Sequence, residues 1–420
     1  MVDEKQGGGE GLLSPFRVLD LTDEKGLLCG KTLASLGAEV IKIEPPGGDA
    51  ARNVPPFYHD IVHPEKSLYY MAYNTNKKSI TLDIETPDGQ MIFKKLVASS
   101  YFVIESFEPG YLDKLGLGYE ELSKINPRII LTSISPLGQK GPYSHYKSSD
   151  LMCVAMSGFL YLTGDTDRPP VRISIPQAYC MGSAEAAGAT MIAHYYRQTT
   201  GEGQHVDVSI RDSLIKTTVN TVYWWEQNRM IMKRGGPYWG LRGEPIRVLW
   251  RCKDGWTSFA LHGSKFGAKT NYQLVEWADS EGLADDIMKN VKWESLDMET
   301  VDRELIAHLE AGVEKFFQTH TRQEVMEGAL KRGIMMLPVQ TIEDVVKSPQ
   351  LKDREYWDAV KHPELGDDFI YPGAIVKASE TPCAKSVRAP HIGEHNEEIY
   401  SGELGMSREQ VIVLKATQII

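Results

Sequence analysis

Between residues 16 and 44 the apolar positions change period twice. FRVLDL, 16 to 21, is a short apolar run that reads as a strand. EKGLLCGKTLASLG, 24 to 37, spaces its apolar residues as a helix does and stops at Gly37, and AEVIKIE, 38 to 44, reads as a second strand. This is a βαβ unit. The alternation returns in KSITLDI, then in TPDGQMIFKKLVASS with Thr86 as cap and Pro87 at the first helical position, and continues through YFVIES, GLGYEELSKINP and RIILTSIS. Strands and helices taking turns in this way predict an α/β fold, a Rossmann-like parallel sheet with helices on both faces. Ligands of such sheets sit beyond the carboxyl ends of the strands, which directs attention to the stretches after Leu21, Glu44, Ser106 and Ser135. The first strand-to-helix turn is LTDEKG, without G-x-G-x-x-G, so no dinucleotide fingerprint is present.

From about residue 217 the pattern changes. TVNTVYWWEQNRMIMKRGGPYWGLRGEP is aromatic and Gly-rich, RVLWRCKDGWTSFAL reads as strands, and helical segments run to about 330, after which helix and turn signals resume. The expected division is a large Rossmann-like domain over 1–216, a smaller α+β domain over 217–329, and a C-terminal segment, 330–420, that returns to the large domain. A length of 420 residues suits two such domains better than one core.

Charge and cysteine usage narrow the function classes. The 46 basic and 57 acidic residues give a formal net charge of -11 with no long block of one sign, so no nucleic-acid partner is expected. No apolar run reaches the roughly 18 residues of a membrane span, and MVDEKQGGGEG offers neither a basic nor an apolar leader region. A cytoplasmic protein with no membrane partner is the expectation. Cys29, Cys153, Cys180, Cys252 and Cys383 are odd in number and lie far apart without a CxxC pair, which points to buried thiols rather than to disulfides or a metal site.

RVLDLT, LGAEVIKIEPPGGDAAR, NTNKKSITLDIETPDGQ, VIESFEPGYLDKLGLGYEEL, NPRIILTSISPLGQKGPY, TTGEGQHVDVSIRDSL, LPVQTIEDVVKSPQLKDREYW and APHIGEHNEEI follow one another along the chain. In this order they resemble the family III (CaiB/BaiF-type) CoA-transferases. The resemblance implies two subunits threaded through each other as an interlocked, ring-like dimer. It also implies a coenzyme A thioester as substrate and no metal. In the family an Asp at the start of the helix before the G-x-G-Q turn attacks the donor thioester. An aspartyl anhydride and CoA thiolate form, then an aspartyl-CoA thioester that the acceptor acid claims. Covalent catalysis of this kind splits one difficult acyl transfer into easier ones.

Counting back from Gln204 places the nucleophile at Tyr179, flanked by Ala178 and Cys180. A phenol with a pKa of about 10 cannot form the same mixed anhydride. Glu185 is the nearest acid on the same segment, but six residues of helix displace a side chain by about 9 Å. Other positions depart as well: Glu24 and Lys25 replace a Val-Gln pair, Pro45 replaces an Arg that meets the nucleotide of CoA, and Ser149 before Asp150 replaces a His-Asp acid/base pair. Phe107, Lys114, Lys140 and Lys147 match positions along the CoA groove of relatives, and cations suit its phosphates. RGGPYWGLRG, 234 to 243, matches a mobile glycine loop, and Tyr238 and Trp239 with VYWWEQ are either an acyl pocket or core.

The resemblance therefore implies a subunit that lacks the nucleophile and supports a homologous catalytic subunit carrying it, in a heterodimer or heterotetramer. The transfer implied is of CoA from succinyl-CoA to an aryl-substituted, benzylsuccinate-like succinate. Two further readings stay open, a homodimeric transferase or isomerase using Glu185, and a non-catalytic CoA-binding protein.

Overall fold

Arg17–Leu21 (β1), Glu39–Glu44 (β2), Lys77–Thr81 (β3), Phe102–Glu105 (β4), Ile130–Ser135 (β5) and Gln204–Ser209 (β6) pair in parallel register. They form one six-stranded sheet in the order β3-β2-β1-β4-β5-β6. The order reverses between β1 and β4, which opens a crevice at their carboxyl ends. The structure, a computed structural model, describes residues 11–239, 245–297 and 300–420, apart from the side chain of Phe266. Two compact units are present. One takes the chain up to Phe159 with Ile173–Val219 and Gln350–Ile420; the other takes Leu160–Arg172 with Asn220–Pro349.

Up to Thr217 the helices of the first unit are Leu27–Ser35 (α1), Leu68–Tyr73 (α2), Pro87–Ala98 (α3), Tyr111–Lys114 (α4), Tyr119–Ile125 (α5), Asp150–Met156 (α6), Gln177–Thr200 (α7) and Ile210–Thr217 (α8), and Arg408–Ala416 adds another near the end of the chain. The Thr86 hydroxyl accepts from Gly89 N, and Pro87 opens α3 where its missing N–H costs nothing. The sheet has two unlike faces. Leu19, Leu21, Ile41, Ile43, Ile80, Val103 and Leu131 form an apolar face buried with Ile92, Phe93 and Leu96 of α3 and Leu122 of α5.

The opposite face of β1 to β3 is polar and equally dry. Asp20, Lys42, Glu44, Lys77 and Ser79 are all buried there. Lys77 Nζ donates to Asp20 Oδ2 at 2.8 Å, Asn74 Oδ1 at 2.9 Å and Leu27 O at 3.0 Å, which uses every proton of the ammonium. Lys42 pairs with Asp49 at 2.7 Å and also reaches Thr22 O. Glu44 accepts from Arg52 at 2.6 and 2.8 Å, from Ser79 Oγ at 2.6 Å and from Asp49 N at 2.9 Å. Burial opposes the charge on Glu44, but Arg52, Lys42 and Ser79 outweigh it and hold the carboxyl down at about 2.

β3 is the edge strand, and the C-terminal segment covers it. His395 N donates to Ser79 O at 2.9 Å, Thr81 N donates to Asn396 Oδ1 at 2.9 Å, and Tyr400 Oη donates to Thr81 O at 2.6 Å. A free edge is thereby closed. The same segment holds an antiparallel hairpin, Trp357–His362 with Asp367–Pro372, turned at Gly366, whose φ is 70°. WDAVKH alternates buried and exposed residues at a strand period that the helix and turn signals nearby obscure.

In the second unit Leu249–Cys252 and Gly255–Ser258 pair antiparallel, and Leu337–Pro338 joins them. Their core is Trp250, Trp293, Phe316 and Phe317, with Trp250 Nε1 donating to Phe259 O at 2.6 Å. A Thr321/Glu324 capping box starts the helix Arg322–Arg332.

Two measurements check the polar face. Lys77→Met leaves Asp20 buried without its partner and is expected to cost about 3–5 kcal/mol in chemical denaturation. Glu44 titrates below its unfolded value, so its contribution is present above about pH 4.5 and is lost as pH falls toward about 2. Thermal melts should lose stability across that window in wild type and less steeply in Glu44→Gln.

Candidate functional site

Beyond the ends of β1 to β4 the backbone leaves the sheet through turns that face one another. Leu21, Ile43, Pro45, Pro46, Leu82, Phe107 and Tyr111 line a cleft of about 510 Å³ there, with Asp83 and Glu85 among its polar groups. The Phe107 and Tyr111 rings lie 4.6 Å apart, and Tyr111 Oη donates to Glu85 at 2.7 Å. A flat apolar slot results. Asp23 N donates to Ser106 Oγ at 2.8 Å and Ser106 Oγ donates back to Asp23 Oδ1 at 2.7 Å, which ties the exits of β1 and β4 together.

A second cavity, of about 560 Å³, opens beside the end of β4, over Leu131 and Ser133 of β5 and His205 near the start of β6; Glu105, Gln139, Lys140 and Tyr119 are also among its walls. Glu105 is 4 % exposed. Its Oε2 accepts from Phe107 N at 2.7 Å, and Ser133 also hydrogen-bonds to it. Ser133 Oγ in turn lies 2.9 Å from His205 Nε2. Burial outweighs these bonds and pushes the Glu105 carboxyl up to about 7.

Of the residues matched to a CoA groove, Phe107 stands in the strand-end cleft and Lys140 in the second cavity. Lys114 and Lys147 are exposed and belong to the walls of neither. Among the described residues no cation lines the strand-end cleft, and Pro45 is one of its walls.

The small residues of α7 explain themselves by packing. Ala178, Gly182, Ser183 and Ala186 are buried, Ser183 Oγ donates to Lys25 O at 2.9 Å, and Thr190 Oγ lies 2.7 Å from Thr132 Oγ on β5. Larger side chains would push the helix off the sheet. At its start Asp150 Oδ1 accepts from Ala178 N at 2.8 Å and Tyr179 N at 3.3 Å, so this carboxylate satisfies helix amides rather than standing beside a histidine.

Tyr179 is 7 % exposed. Burial and the nearby Glu24 carboxylate push its phenol well above the ordinary range. Cys180 Sγ lies 3.6 Å from Tyr73 Oη, and burial raises both groups. Tyr69 packs on Tyr73 with ring centroids 4.8 Å apart. These phenols and the thiol stay protonated at neutral pH, so none is a ready nucleophile. Glu185 lies on the exposed side of α7, paired with Lys216 at 2.7 Å.

Of the stretch 234–243, residues 240–243 lie outside the described residues. Tyr238 and Trp239 form an exposed strand paired with Ile246–Arg247, and the helix Val219–Asn228 buries none of its residues. The aromatic run is therefore surface in the single chain. Among the described residues no group of three or more His, Cys, Asp or Glu is placed to hold a metal ion, and no helix is long and apolar enough to cross a membrane.

Sequence reasoning did not single out Glu105, because an acid closing an apolar strand looks like an ordinary polar stop. It also missed Tyr69 and Tyr73. Their approach to Tyr179 is a product of the fold and carries no local signal.

Residues 13–396 match the sequence model of CoA-transferase family III. The chain is 35% identical to succinyl-CoA:(R)-benzylsuccinate CoA-transferase subunit BbsE of Thauera aromatica, covering 92% of this chain and 93% of that one. It is 31% identical to succinyl-CoA:glutarate CoA-transferase of Mus musculus, covering 92% and 85%. A CaiB/BaiF family protein from Brucella suis superposes with a TM-score of 0.81 at 29% identity, covering 94% of this chain and 100% of that one.

Glu105 makes a prediction opposite in sign to Glu44. Its folded value lies above its unfolded one, so the folded state holds the extra proton and stability falls as pH rises from about 4.5 to about 7. Glu105→Gln is expected to gain up to roughly 3 kcal/mol over wild type at about pH 8 and nothing near pH 4.5, read by denaturant titration at both.

Proposed function

The chain belongs to CoA-transferase family III, and on that premise we propose that it is the non-nucleophilic subunit of a heteromeric transferase. The observation that carries the reading is Tyr179. Counting back from Gln204 assigns the position of the family's aspartate to this buried, protonated phenol, with Ala178 and Cys180 on either side and no carboxylate among the three.

A homologous partner supplies the missing group. Its aspartate attacks the succinyl-CoA carbonyl carbon and the C–S bond breaks, giving an aspartyl anhydride and CoA thiolate. The thiolate then attacks the aspartyl carbonyl, succinate leaves, and the resulting aspartyl-CoA thioester passes its CoA to the acceptor by the same steps in reverse. Nothing in that sequence asks this chain for a nucleophile. Its contribution is to complete the assembly, and its strand-end cleft around Phe107 is the place for a CoA thioester of its own.

The name of the 35% identical relative, a subunit of a benzylsuccinate transferase, supports both the heteromeric arrangement and an aryl-substituted succinate as acceptor. The single chain also exposes apolar groups suited to a threaded partner: Ile192, Tyr195 and Tyr196 on α7, and Val222, Tyr223 and Trp225 beyond it. Cytoplasmic residence goes with such an acyl-CoA reaction. A homodimeric enzyme built on Glu185 is disfavoured by the Lys216 ion pair on the exposed side of α7.

The test is CoA exchange between succinyl-CoA and aryl-succinates, measured for the chain alone and for the chain mixed with a homologous subunit carrying the aspartate. Activity is expected only in the mixture, with the acyl adduct found by mass spectrometry on the partner's aspartate. Tyr179→Phe should leave the rate of the mixture within about twofold, whereas removing the partner's aspartate should lower it by about 10³ or more. Turnover and an adduct on this chain alone would sink the proposal.

A further inference from the structure

Glu105 lines the second cavity, two residues before Phe107 of the strand-end cleft, and the transfer chemistry makes no use of it. Its Oε2 holds Phe107 N at 2.7 Å, which sets the turn by which the chain leaves β4 and therefore the direction of the Phe107 ring. That ring is the aromatic wall of the cleft, packed on Tyr111. Between the two residues, Ser106 is fixed to Asp23 by a pair of hydrogen bonds, so the turn has little freedom except at the Glu105 contact. On the other side Glu105 meets Ser133 and, through it, His205, whose ring stacks on Tyr119 at 6.1 Å.

A carboxyl is costly to bury, and a strand end that needed only an acceptor for one amide could use a neutral group. We propose that Glu105 is a positioning residue for Phe107 and couples binding of a CoA thioester in the strand-end cleft to the protonation of the neighbouring cavity. This rests on the reading that the cleft takes the thioester. Lys25 and Asp23 from the turn after β1 act on Glu105 directly, and the titratable groups that share its cavity are Glu108, Tyr111 and Asp113 from the segment after β4, Tyr119, Glu120 and Glu121 of α5, Lys140 and His145 from the loop after β5, and His205 of β6. An ionised Glu105 accepts the Phe107 amide as a charge-assisted bond, shorter and stronger than the bond to a neutral carboxyl. Burial places its titration near neutrality, so the cleft is firmest on the alkaline side.

The experiment uses the assembled heteromer with desulfo-CoA, whose lack of a thiol removes one titrating group from the ligand. Affinity is measured at about pH 6 and about pH 8 for wild type and Glu105→Gln, and hydrogen exchange of residues 102–112 reports whether this subunit's own cleft is occupied. Taking the ratio of the two proteins cancels the titration of the ligand phosphates. The affinity ratio of wild type to Glu105→Gln is expected to rise about fivefold between the two pH values, as a lost charge-assisted bond implies. Phe107→Leu should weaken binding equally at both, and Glu105→Ala should speed exchange of the Phe107 amide even without ligand. A flat ratio, with ligand-dependent protection of 102–112 present in wild type, overturns the role of Glu105 alone. Absence of that protection in wild type overturns the cleft assignment, and the coupling falls with it.

Discussion

Three ion pairs buried along the polar face of the sheet set the conditions for everything at its carboxyl edge. Lys77–Asp20 and Arg52–Glu44 are nearly inaccessible to water, and Lys42–Asp49 joins them through Thr22 O. Charges taken out of water are tolerated only when their hydrogen-bonding capacity is filled, so each pair dictates the position of whatever fills it. Lys42 fastens the exit of β1, and Glu44 with Asp49 and Arg52 fastens the loop after β2. Pro45, Pro46 and Leu21 are thereby placed as walls of the cleft. The edge strand is involved too, since Ser79 donates to Glu44 while its backbone is held by His395. A site at strand ends needs strand ends that do not move, and here buried charge supplies the rigidity that an apolar face could give only less specifically.

Much of this architecture was legible in the sequence. The period changes over 16–44 and 78–135 locate the strands and helices of the parallel sheet to within a few residues, because half-buried helices and buried strands impose distinct spacings. The cap at Thr86 was legible for the same local reason. What the pattern could not disclose is the polar face. EVIKIE looks like a strand with Lys42 and Glu44 turned to solvent, yet both are buried. Their partners lie at other places along the chain, and Lys77 and Asp20 are separated by 57 residues. Hydrophobic periodicity is a one-body signal, whereas buried ion pairing is a two-body one. The hairpin Trp357–His362 with Asp367–Pro372 escaped for a milder reason, being a short strand pair set among turn residues.

The site divides in the same way. Counting along motifs singles out Tyr179, Pro45 and Phe107, and the structure sets Pro45 and Phe107 in the walls of one cleft. The lysines singled out in the same way do not share one. A flexible, mostly solvated side chain has no packing partner to pin it, and Lys114, Lys140 and Lys147 do not gather around one cleft. Glu105 was invisible for a further reason: its burial depends on the turn at Ser106 and on β5 beside it, neither of which is encoded near it in the sequence.

The seating of α7 does not depend on a carboxylate at its first turn. α7 is needed by the sheet whatever stands at its first turn, since its small residues seat it against β5 and the turn after β1. At that first turn Ala178 and Tyr179 are buried as well. Tyr179 stands near Glu24 and Asp23, and burial together with these carboxylates keeps its phenol protonated and neutral. A neutral side chain at this position adds no further negative charge to that group of acids, and α7 keeps its seat on the sheet.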